Sequence, residues 1–143
     1  MHQAAATDPI LAVTQLWRQQ GISLLPPLAD QEVDQLFAPV QDRISLDLRQ
    51  LYALTGGMAE GETDDEYWSL WTPERLIAEA EPAELFFGDF LIDSHLHVLE
   101  WESAETSSVH VFHGHNHRVR VADSILAFFE LYLCNPFAAV HGF

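Results

Sequence analysis

Apolar positions recur at helical spacing through the first half of the chain and at strand spacing through the second. Asp8-Pro9 opens a first helix, since Asp can cap free N–H groups and Pro suits the first helical position. Ile10, Val13 and Trp17 form its inward face and Gly21 ends it. Ile22 to Leu28, with Pro26-Pro27, reads as an extended connector. Asp30 is expected to cap a second helix whose face is Val33, Leu36, Phe37 and Val40, with Pro39 distorting it near Ala38. Ser45 caps a third, which buries Leu48, Leu51 and Tyr52 and stops at Gly56-Gly57. Tyr67 to Trp71 reads as an aromatic strand. Thr72-Pro73 opens a fourth helix with Leu76, Ile77 and Ala80 inward, and Pro82 closes it.

Beyond Pro82 the period changes to two. Residues 85–92, 94–101, 109–113 and 118–121 predict four consecutive strands with short links. His95, His97, Leu99 and Trp101 share one strand face, and Leu96, Val98 and Glu100 the other. Arg118 and Arg120 alternate with Val119 and Val121, as on a sheet with one wet face. Asp123 is expected to cap a last helix, striped by Ile125, Phe128, Phe129 and Tyr132 and stopped by Asn135-Pro136. Helices, an antiparallel meander and a closing helix make a single α+β domain over residues 1–143, with an N-terminal helix and connector in residues 1–29.

Charge changes the picture most. The chain has 143 residues, 22 of them acidic, against six arginines and no lysine, a net charge of −16 with histidine neutral. Such an exterior repels nucleic acid and anionic membranes and attracts basic proteins. No apolar run approaches the ~20 residues that cross a bilayer. Residues 1–7 lack a basic and an apolar region, so no signal peptide is expected, and the expected location is cytoplasmic. The single cysteine, Cys134, permits no internal disulfide and is read as packing.

The order of segments resembles the SUKH superfamily over about residues 30–133. Four segments carry the likeness. The helix Leu48 to Leu54 runs into Thr55-Gly56-Gly57, where family members often have Asn-Gly. Trp68-Ser69-Leu70-Trp71 is similar to a Trp-x-Leu strand feeding a helix. Leu85-Phe86-Phe87-Gly88-Asp89 is similar to a strand ending in a Gly-Asp turn. Ala122-Asp123-Ser124-Ile125 is similar to the family's start of a C-terminal helix. The Leu-Pro that often precedes the family's third helix is here Ile44-Ser45. The matched residues have structural roles: Gly56 or Gly57 supplies positive φ, Trp68 and Trp71 bury aromatic area, Gly88-Asp89 turns the chain, and Asp123-Ser124 starts the helix.

The resemblance implies function by surface, because bacterial members are largely immunity proteins that neutralise toxins, and many of those toxins are nucleases or deaminases with basic sites. No catalytic residue, metal or cofactor is expected, and the oligomeric state is left open. The expected partner-binding residues are the loop acids Glu60, Glu62, Asp64, Asp65 and Glu66, with Glu100, Glu102 and Glu105 at a strand end. The histidines offer a second reading. His95 with His97, and His113, His115 and His117 with His110 nearby, could line a sheet face and hold a transition metal, in a metal-handling protein or metal-dependent enzyme. Gly114 and Asn116 instead predict a turn that scatters these rings on a loop tip. A regulatory scaffold without a toxin is the third reading. Asp93-Ser94-His95 is no catalytic triad, since strand neighbours face opposite ways.

Overall fold

The computed structural model describes residues 8–91, 94–114 and 117–142. Helices α1 (Pro9–Gln19), α2 (Asp30–Leu36) and α3 (Leu46–Leu54) precede strand β1 (Trp68–Leu70) and helix α4 (Pro73–Ala78). Strands β2 (Leu85–Phe90), β3 (His95–Trp101), β4 (Ser107–Gly114) and β5 (His117–Ala122) follow, then helices α5 (Ile125–Cys134) and α6 (Pro136–His141). The five strands pair in chain order, every neighbour antiparallel, so the sheet is the α+β meander that the change of period predicts.

The main core lies between one sheet face and the helices. Ile10, Val13 and Trp17 from α1, Leu48, Leu51 and Tyr52 from α3, and Ile125, Phe128 and Phe129 from α5 meet Trp68, Leu70, Phe87, Leu99 and Val109 from the sheet. Trp71, Phe86 and Val98 form a smaller cluster on the other side, so this face is not simply wet.

Three buried carboxylates join the elements. Asp47 accepts hydrogen bonds from the Ser45 hydroxyl, from the Ser107 N–H of β4, and from the Ile125 N–H at the start of α5. Asp64 accepts the Trp17 indole N–H and the backbone N–H groups of Glu66 and Trp68. Asp89 accepts the Trp71 indole N–H at 2.8 Å. Each turns a buried polar group from a cost into a tie.

Several boundaries differ from the sequence reading. Ala29, not Asp30, is the cap position of α2, and its N–H is taken by Glu32 as Asp30 enters the first turn. Pro39 ends that helix as expected, and residues 38–43 continue as a 3-10 helix kinked at Val40. Ser45 precedes α3 but spends its hydroxyl on Asp47 and Ser107 instead of capping. Tyr67 and Trp71 flank β1 without belonging to it. Ser124, not Asp123, caps α5 by accepting the Ala127 N–H, while Asp123 pairs with Arg120. Asn135-Pro136 stops α5 but also starts α6, with the Asn135 side chain accepting the Ala138 N–H. Cys134 is exposed, not packed.

Gly88-Asp89 does not turn the chain. Both residues lie inside β2, beyond a bulge between Phe86 and Gly88. Glycine is needed at 88 because a Cβ there would stand 2.3 Å from the Trp68 ring. Gly57 has φ +94°, and a Cβ on Gly56 would strike the Pro26 carbonyl at 2.5 Å, so the pair serves both positive φ and close approach.

Asp47→Ala is expected to cost at least about 3 kcal/mol, because it strands two buried N–H groups, while Asp42→Ala on the surface stays within about 0.5 kcal/mol. Denaturant unfolding of both variants checks this, and equal effects would contradict the tie.

Candidate functional site

The acidic loop is built onto the C-terminal end of α1. Glu62 accepts the Ser23 N–H at 2.7 Å, and the Asp65 N–H donates to the Gln20 side chain. Glu60 and Asp65 are exposed, and Glu62 and Glu66 half-buried. Asp64 departs from its expected role: it is 4% exposed, so it cannot meet a partner while it holds Trp17 and Trp68. Desolvation pushes its carboxyl up to about 6, against the N–H groups that lower it.

Glu100 and Glu102 stand on the sheet face bearing His110 and the β5 arginines. Glu100 pairs with Arg118 at 2.8 Å and reaches His110 at 3.3 Å, and Glu102 accepts the Ser108 hydroxyl and approaches Arg120 at 3.5 Å. Their negative charge is therefore matched locally. Glu105 is exposed in the β3–β4 hairpin loop. The fold does not bring the two acidic groups together. Trp68, which follows the loop, is level with Phe90 and His95, whereas Glu100 and Trp101 face Ser108 and Ser107 at the far end of the meander.

The histidines divide by environment. His97 is fully buried opposite Gly88. Its Nδ1 lies 3.0 Å from the Trp68 indole nitrogen and its Nε2 lies 3.1 Å from the Ala139 carbonyl oxygen. Indole only donates, so Nδ1 carries the lone pair and Nε2 the proton. Burial drives its pKa down to about 3. His110 accepts or donates at the Ser108 hydroxyl, 2.9 Å away, and burial followed by the β5 arginines lowers its pKa.

Among the other described rings, His95, His113, His117 and His141 gather instead of scattering. Gly114 and His117 pair directly across the β4–β5 turn, which leaves His113 and His117 stacked at 5.5 Å. His95 lies 4.5 Å from His113 and 5.3 Å from His141 of α6, which sequence reading had left out. The same cap-then-proline signal that opens α1 and α4 could have revealed α6. His115, Asn116, Asp93 and Ile92 lie outside the described residues. Among the described residues, no three His, Cys, Asp or Glu side chains group so as to hold a metal. The His95 Nδ1 faces the Ser94 carbonyl and the His113 Nε2 faces that of His141, which draws ring nitrogens away from a common centre.

An open cleft of about 680 Å³ separates the loop at 58–61 from α4. Arg75 spans it, 3.8 Å above the Trp71 ring and bonded to Glu79. Ser69, Thr72, Glu60 and Glu74 also line it, and no imidazole or thiol does so among the described residues. Elsewhere, the Ser94 hydroxyl donates to the Leu91 carbonyl and that of Ser124 caps α5, so neither is set beside a base.

No helix among the described residues is long and apolar enough to cross a membrane. In comparisons with known proteins, no family model, curated protein or solved structure matches the chain.

Two buried titrating groups, His97 and Asp64, act in opposite directions on stability. In the unfolded chain His97 takes a proton near 6.5, but in the fold only near 3, so its contribution is lost as pH falls through that interval. Asp64 takes its proton near 6 in the fold and near 3.8 unfolded, so acidification adds stability there. Gln at 97 can offer an acceptor and a donor without titrating. The stability gap between the native protein and His97→Gln is therefore expected to move by roughly 3 kcal/mol against the native protein between about pH 6.5 and about pH 4. Asp64→Asn is expected to move it the other way. Denaturant titrations across this range decide both signs.

Proposed function

We propose that this chain is a non-catalytic, SUKH-like binding protein that neutralises a basic protein partner, a cognate bacterial toxin domain, by stoichiometric complex formation in the cytoplasm. The distribution of charge carries this reading. Arg49, Arg75, Arg118 and Arg120 are each tied to carboxylates of the same chain, which leaves few cations to offset acids elsewhere on the exterior. Asp47, Asp64 and Asp89 are withdrawn into the fold, and Glu60, Asp65 and Glu105 stand exposed. A field of this sign accelerates encounter with a cationic protein and can occupy a site built for phosphates.

Metal handling is the second reading: the rings of His113 and His141 lie 4.5 and 5.3 Å from that of His95, although the described side chains do not group so as to hold a metal. Elemental analysis of the untagged protein tests it. One transition-metal ion per chain, lost in His95→Ala, would replace the first reading.

Co-purification from the native host with mass spectrometry identifies the partner. With that partner, the triple change Glu60→Lys, Asp65→Lys and Glu66→Lys is expected to slow association by on the order of tenfold at low salt, with a smaller effect as salt rises. Stopped-flow kinetics measures this. A salt-independent rate, untouched by the three changes, would reject the charged interface.

A further inference from the structure

We propose that the sheet end carrying Tyr67, Leu91 and Phe137 is the docking surface for the basic protein partner, an inference that rests on the binding reading above. Tyr67 has φ +60° and Leu91 φ +48°, the left-handed region that bulky side chains avoid. The two are neighbours, since the Leu91 N–H donates to the Tyr67 carbonyl at 2.9 Å. Burial does not compensate this strain: Tyr67 is 60% exposed and Leu91 51%. Gly or Asn would serve both turns at lower cost. Large apolar groups held outward on strained backbone are what a binding site needs and a fold does not.

The patch continues onto α6. Phe137, 59% exposed, lies 4.5 Å from the His141 ring, which lies 4.5 Å from Phe90, and Phe90 stacks on His95 at 5.2 Å. Burial, then repulsion from neighbouring imidazoles, lowers the pKa of His95 and His141. Asp65 and Glu66 immediately precede Tyr67, so aromatic anchors stand beside an acidic rim. That combination suits a cationic protein with an apolar centre to its interface. A second copy of this chain is a poor occupant, because each copy carries −16 and brings the same acids to the contact.

The test uses the full-length chain with p-benzoyl-phenylalanine in place of Phe137, irradiated in cells of the native host. The same probe replaces Gln50 on α3 as a control and Asp65 or Glu105 as reporters of the acids. The expected result is one polypeptide of basic sequence cross-linked from position 137 and not from position 50. Tyr67→Asn with Leu91→Asn is expected to reduce that cross-link at least about tenfold. The same double change should leave the unfolding midpoint unchanged or raise it by about 2–4 °C, through relief of strain. A lower midpoint would show that the two side chains serve the fold, and would overturn the proposal. So would a cross-link to a second copy, to an acidic protein, or equally from position 50. A basic polypeptide captured from 65 or 105 but not from 137 leaves the binding reading standing and removes this surface. No basic polypeptide from any position removes both.

Discussion

A single buried imidazole ties the first strand of the sheet to its third and to the last helix. Trp68 donates its indole proton to His97, and His97 passes its own to the carbonyl of Ala139. The chain of two bonds links β1, β3 and α6, three elements distant in sequence. It requires a neutral ring in one tautomer, because protonation at Nδ1 would turn the acceptor for Trp68 into a competing donor. It also requires a residue without a Cβ across the ladder, which Gly88 provides. Around this link Trp68 meets Trp17, Phe87, Phe128 and Tyr132 at centroid distances near 6 Å, so the polar bond fixes the orientation of a ring that much of the core packs against.

The same economy governs the acids. Asp47, Asp64 and Asp89 hold indole and backbone donors that the fold would otherwise leave unsatisfied inside. What they do internally, they cannot do for a partner. The exterior charge belongs to the remaining acids, and the arginines that might neutralise it are mostly spent on their own neighbours. On the proposed binding reading, specificity has to come from shape and apolar contact, since charge alone attracts any cation. Tyr67 and Leu91 combine left-handed backbone with exposed apolar side chains.

Most of the fold was legible in the sequence because two periods dominate it. The faces of α1, α3 and α5 follow from spacing, and the four long strands from short runs of strand-forming residues joined by brief links. The errors share a cause. Gly88-Asp89 looks like a turn by residue type, but the glycine answers to an indole arriving from Trp68, twenty residues earlier. Asp64 looks like one more loop acid, but Trp17 reaches it from α1. Asn135-Pro136 reads as the end of a helix, and the structure shows that it also begins the next one.

Local propensity and hydrophobic period, which act within a few residues, determined most of the elements, their order and the α+β class, and composition alone set the excess of negative charge. Tertiary structure decided which acids are buried, which imidazoles meet, and which large apolar side chains are left facing water. Those outcomes depend on contacts between residues far apart along the chain, and no local pattern encodes the direction from which a partner side chain will arrive.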